Sequence, residues 1–167
     1  MHCYLSAALE ALSGLLSDDV QLIAVHRDQL LSELLHLYET QPSTVYHQVK
    51  IQFIHEAGDD FGGLTKDLFT SAWLHILNSY FKGEAAVVPY LPLHRHAEER
   101  QHYRAIGRIL AHSVALLKKI PPRLSRCTVL CLALGTAQVS DDMLLSDFRF
   151  AVSKNIGTVH YTMSFVL

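Results

Sequence analysis

Between Val49 and Tyr80 the period of the apolar residues changes once, and that change fixes most of what the chain can build. Val49, Ile51 and Phe53 alternate with Lys50, Gln52 and Ile54. A period of two gives a strand with one apolar face. From Thr65 to Phe81, Leu68, Phe69, Ala72, Trp73, Ile76, Leu77 and Tyr80 return every three or four residues. That is the buried stripe of a helix, with Lys66, Asp67, Ser71, His75 and Asn78 opposite it. Gly58-Asp59-Asp60-Phe61-Gly62-Gly63 stands between the two. Glycine reaches the backbone angles a sharp corner needs, and carboxylates beside a helix N-terminus cap it and complement its dipole. A phosphate loop fits less well. No Lys-Ser/Thr follows in the required register, and Asp59 and Asp60 would repel a phosphate.

Upstream, Leu5, Leu9, Leu12 and Leu16 recur at helical spacing. Asp18 and Asp19 are placed to start a second helix through Leu30, Leu31, Leu34, Leu35 and Tyr38. The first 40 residues therefore read as helix, broken at Gln41-Pro42-Ser43-Thr44. Downstream, Gly83 ends the central helix. Ala85 to Leu91, with Pro89 and Pro92 nearby, is at most an edge strand. The longest helix is expected over about Glu98 to Lys119. Tyr103, Ile106, Gly107, Leu110, Val114 and Leu117 form one face, and Arg104, Arg108 and His112 form a polar row. Lys118 and Lys119 suit its C-terminal end, and Pro121-Pro122 stops it. Leu124 to Leu134 and Val139 to Val152 read as further helices, the second with Ser140 as N-cap. Thr158 to Leu167 is strand-like, and an apolar strand left bare at the end of a chain points to truncation. The fold class is α+β, mostly α-helical with a few short strands. Residues 1–45 form a helical segment leading into a domain over 46–167.

The chain has 167 residues, half of them apolar, and a formal charge of −2. That is enough for one domain with a core, and it carries no basic excess directed at nucleic acid. No signal peptide or apolar run of ~18 residues is present, so no membrane span is expected and the compartment is cytoplasm or nucleus. Cys3, Cys127 and Cys131 are too few and too odd in number for a disulfide scaffold. Cys127 and Cys131 share one face of a helix, which is the usual setting of a buried structural thiol. Arg123 and Arg126 nearby leave a reactive thiolate as the alternative. His94, His96, His102 and His112 do not have a tight ligand spacing, so no metal and no cofactor are expected. His26-Arg27-Asp28 and Asp60-Phe61-Gly62 spell two kinase triplets. The Asn that must follow the first is replaced by Glu33, and the first triplet falls in a leucine-patterned helix, so both read as chance matches.

The stretch from Val49 to Phe69 resembles the start of the HECT domain of ubiquitin-protein ligases. That family shows a strand, then Glu-x-Gly-x-Asp-aromatic-Gly-Gly, then a helix opening with a basic-acidic pair and aromatics. The matching positions are Glu56, Gly58, Asp60, Phe61, Gly62, Gly63, Lys66, Asp67 and Phe69. Tyr103 to Leu116 is similar to a second block of the family, with Gly107 and Arg108 at its Gly-Arg. Leu124-Ser125 before an apolar helix and Arg27 to Leu31 also fit, so the resemblance spans roughly Val25 to Leu134.

The resemblance implies ubiquitin transfer from a ubiquitin-conjugating enzyme through a cysteine thioester to a substrate lysine. It implies a mostly helical N-lobe here, with the acceptor cysteine in a C-lobe this sequence does not match. No catalytic residue is therefore assigned. The partners it implies are the conjugating enzyme and ubiquitin, with the protein substrate unspecified. The carried-over residues are structural. Gly107 is expected to permit close packing, and Arg108 to pair with a carboxylate, Glu56 or Asp60. A non-catalytic interaction module derived from such an N-lobe is the other reading.

Overall fold

The computed structural model describes residues 10–56, 62–83, 86–134 and 139–151. It is an α+β fold, mostly helical, with two small two-stranded sheets. The chain divides into two compact units. One is Met1–Phe81 with Pro89–Pro122, and the other is Lys82–Val88 with Arg123–Leu167.

The first unit begins with a helical turn over residues 10–13 and then strand β1 (Ser17–Val25). Helix α1 (Leu30–Thr40), a 3-10 turn (Pro42–Tyr46) and strand β2 (His47–Phe53) follow. β1 corrects the sequence expectation of helix across residues 18–25. Val20-Gln-Leu-Ile-Ala-Val25 has apolar residues at consecutive and alternate positions, so its period is ambiguous. The deciding factor is non-local: β1 pairs in parallel with β2, with Ile23 opposite Ile51 and Val25 opposite Phe53. All four side chains are buried. On the solvent face Val20, Leu22 and Ala24 stay exposed. Parallel strands need a crossover of this length, and α1 supplies it. The triplet His26-Arg27-Asp28 thus sits in the β1–α1 connection, not inside a helix.

Helix α2 (Gly63–Tyr80) buries Leu68, Phe69, Ala72, Trp73, Ile76 and Leu77, the stripe expected from spacing. It starts two residues earlier than expected, behind Gly62 at φ 91°. It packs on β2 and α1. Strands β3 (Phe81–Lys82) and β4 (Val88–Pro89) make the second sheet, so β4 is the short strand the prolines allow.

Helix α3 (His96–Leu117) lies mainly against α1 and the 3-10 turn, and it ends at Lys118 in the left-handed region. Its buried side is Ala105, Ile106, Ile109, Leu110, His112, Ser113, Val114 and Ala115. Here the expected polar row is corrected. His112 is fully buried and Arg108 turns inward, because both serve acceptors inside the unit. Trp73 Nε1–H donates to Ser113 Oγ at 3.1 Å, and that hydroxyl donates to the Leu110 carbonyl at 2.8 Å. The α2–α3 contact is thereby satisfied in its polar atoms as well as its apolar ones.

The second unit is built on a bridge between Val87 and Leu124, with both Val87 and Ser125 donating backbone N–H groups across it. Helices α4 (Arg126–Leu134) and α5 (Asp141–Ala151) follow. Ser125 caps α4 by accepting from the Thr128 N–H at 3.1 Å. Ser140 caps α5 through the Met143 N–H at 3.4 Å, as its sequence position suggested. The expected strand over Thr158 to Leu167 lies outside the described residues.

Candidate functional site

Of the motif residues, Gly58, Asp60 and Phe61 lie outside the described residues, as does Asp59. Glu56, Gly62, Gly63 and Phe69 are described, and they cluster where β2 gives way to α2. β2 ends at Phe53, and His55 turns the chain with φ 71°. Gly62 precedes α2 at φ 91°, a conformation that strains any side chain bearing a Cβ. Gly63 is the first residue of the helix, and a Cβ there would meet no described atom within 4 Å. Phe69 is fully buried, and its ring meets His112 edge-on with centroids 5.9 Å apart.

Arg27, from the β1–α1 connection, holds this corner together. Its Nε and Nη2 donate to the two oxygens of Glu56 at 2.6 and 2.9 Å, a bidentate pair. Its Nη1 donates to Asp67 Oδ2 at 2.9 Å, and its guanidinium lies 3.8 Å from the Phe53 ring centroid. One side chain thus joins the end of β2, the residue after the turn and the first turns of α2. The Arg27 hydrogen bonds hold the Glu56 carboxyl below its ordinary range, and the two carboxylates raise the guanidinium. Sequence reasoning read Arg27 only as part of an upstream helix. No local signal marks it, because its partners lie 29 and 40 residues away.

The second block behaves differently from its expectation. Arg108 does not meet Glu56. Its Nη1 donates to the backbone carbonyl of Tyr38 at 2.9 Å, in the last turns of α1. Of the two carboxylates expected for it, Glu56 is taken by Arg27 and Asp60 lies outside the described residues. Gly107 permits no close approach: a Cβ built on it meets nothing described within 4 Å. The polar centre of the unit is instead His112. Its Nε2–H donates to the His47 carbonyl at 2.8 Å, so Nδ1 carries no proton and accepts the Tyr38 hydroxyl at 2.6 Å. Burial pushes the His112 imidazole down to about 4, against the pull of the His47 carbonyl, and pushes the Tyr38 phenol up. With both ring nitrogens used, His112 is not available as a metal ligand. Among the described residues no group of three or more His, Cys, Asp or Glu is placed to hold a metal ion.

The thiols sit in the second unit. Cys127 is buried and free, and Cys131 is half-buried and free. The Cys127 backbone N–H donates to the Asp147 carboxylate of α5. Burial, reinforced by that carboxylate, pushes the Cys127 thiol up to about 11. The thiolate, the form that attacks, is correspondingly disfavoured at neutral pH. Arg126 opposes the shift without reversing it. Cys127 is in the first turn of α4, where the helix dipole favours an anion, but Asp147 already occupies the N–H there.

Among the described residues no helix is long and apolar enough to cross a membrane. No protein-family model matches the chain, and a search of curated proteins finds no match for it.

Proposed function

We propose that the chain supplies part of the N-lobe of a HECT-type ubiquitin-protein ligase. In this reading it is scaffold for ubiquitin transfer from a conjugating enzyme, and the acceptor cysteine is not in this chain. The observation that carries the reading is the junction of β2 and α2. The sequence block of the family falls between a strand and a helix, and its penultimate glycine, Gly62, has the positive φ that makes glycine necessary there. Arg27 supports it by fastening Glu56 of the same block to Asp67 of the basic-acidic pair. Phe69 supports it by anchoring the block in the core. The partners in this reading are a conjugating enzyme, ubiquitin and a protein substrate, in the cytoplasm or nucleus.

The Cys127 setting favours a scaffold over a nucleophile, and it equally suits a non-catalytic interaction module built on the same lobe. The test of the chemical claim is direct. The chain is incubated with activating enzyme, conjugating enzyme, ATP and ubiquitin, and the products are separated without reductant. The expected result is no reductant-sensitive ubiquitin adduct on the chain. An adduct that disappears in Cys127→Ala or Cys131→Ala overturns the scaffold reading and makes that cysteine the acceptor.

A further inference from the structure

A cleft of about 590 Å³ opens in the first unit, lined from α1 by Leu35, His36 and Glu39, from α2 by His75 and Tyr80, and from α3 by His102. That is within the range of volumes that hold small ligands or single side chains. The proposed ligase scaffold does not use these residues, although Arg27 of the corner also lines the cleft.

Glu39 is the unusual group in the lining. Its side chain is 25% exposed, so the carboxyl reaches the cleft, yet its Oε1 is covered and accepts no hydrogen bond from any described residue. The nearest cationic candidate is His102 Nε2 at 3.5 Å, too long for a hydrogen bond. The other ring nitrogen of His102 stands 3.3 Å from the Tyr80 hydroxyl, and the two rings meet edge-on with centroids 6.0 Å apart. The carboxyl therefore has acceptor capacity left on its accessible side, which a ligand offering N–H groups would use.

The charge balance favours the same kind of ligand. Among the described residues Arg27 is the one Lys or Arg in the lining, and it is committed to Glu56 and Asp67. Asp28 adds a second carboxylate to the lining. The uncompensated fixed charge of the cleft is therefore negative, and its walls carry imidazole and phenol rings. A guanidinium suits this better than an ammonium. It is planar, weakly hydrated, offers several donors to one carboxylate, and stacks on aromatic faces. We propose that the cleft binds the side chain of an arginine on a partner polypeptide, with Glu39 as its counter-ion and Tyr80 and His102 as its wall.

The test is made at pH 8. N-acetyl-arginine methylamide is titrated into the full chain and followed by NMR on the histidine rings. The same titration uses the citrulline analogue, which keeps the shape and loses the charge. The expected result is millimolar binding that moves the His75 and His102 signals, and that is about ten-fold or more weaker for citrulline. Glu39→Gln is expected to weaken the arginine probe to a similar degree. Equal binding of the two probes, equal binding by Glu39→Gln, or no response of the rings to either probe overturns the proposal. If Glu39→Gln does not fold, the comparison of probes on the unaltered chain decides alone.

Discussion

His112 is the side chain on which the acid behaviour of the first unit turns. It is buried neutral, with its imidazole held down to about 4, against 6.5 for an ordinary histidine. Between those values the unfolded chain binds a proton that the folded chain refuses. Stability from this group is therefore complete above pH 6.5, falls as pH drops towards about 4, and changes no further below it. The full loss is roughly 3 kcal/mol at one pH unit per ~1.4 kcal/mol. Urea unfolding at pH 7, 5.5 and 4 checks this. Wild type is expected to lose more stability over that window than His112→Gln, and identical pH dependence would contradict the assignment. Two glycines make an opposed pair at the same scale. Gly62→Val forces a β-branched residue to positive φ and should cost at least ~1 kcal/mol. Gly107→Ala fills open space on a helix and should stabilise by about 0.5–1 kcal/mol. Thermal melting of both variants reads the two signs, and a shift in the same direction for both would mean one backbone assignment is wrong.

At the scale of elements, the junction of β2 and α2 is held by Arg27 from a third element. This makes α2's first turns depend on a side chain outside the helix, since its N-cap is a glycine without a side-chain cap. Arg27→Gln is expected to speed amide exchange in the first two turns of α2 while leaving the middle of α3 unchanged. Uniform acceleration in both helices would mean that Arg27 supports the whole unit, not the corner. The pairs are half-exposed, so the protection Arg27 gives should weaken as salt is raised. α3 makes the complementary connection through three polar residues. Arg108 reaches the Tyr38 carbonyl, His112 the Tyr38 hydroxyl and His47 carbonyl, and Ser113 the Trp73 indole. Of the row expected to be polar surface, Arg104 is exposed, while Arg108 and His112 belong to the element's internal seam.

For the whole molecule, the sequence made some levels of organisation legible and hid others for physical reasons. β2, the stripe of α2 and the capped start of α5 follow from local periodicity and capping, which one segment carries by itself. β1 is not legible locally because Val20 to Val25 alone carries no decisive period and is fixed by partners 28 positions away, Val20 on Gln48 through Val25 on Phe53. His112 was placed with Arg104 and Arg108 because histidine spacing says nothing about burial. Only the approach of Tyr38 and His47 reveals it as a core residue. At the site, the glycine of the corner was legible from the need for positive φ, whereas Arg27 was not, since its carboxylate partners come from two other elements. The unreactive setting of Cys127 was half legible. Its helix face suggests a structural thiol and its burial, but Asp147, which reinforces the effect of burial on the thiol, lies 20 positions on.

The central claim is that this chain is N-lobe scaffold of a HECT-type ligase whose nucleophile lies elsewhere in the same protein. The measurement that tests it most directly is the sequence of the native transcript beyond the codon for Leu167. The account predicts an open frame that continues through a docking subdomain and a C-lobe with a cysteine near its end. A stop codon immediately after Leu167 would contradict it.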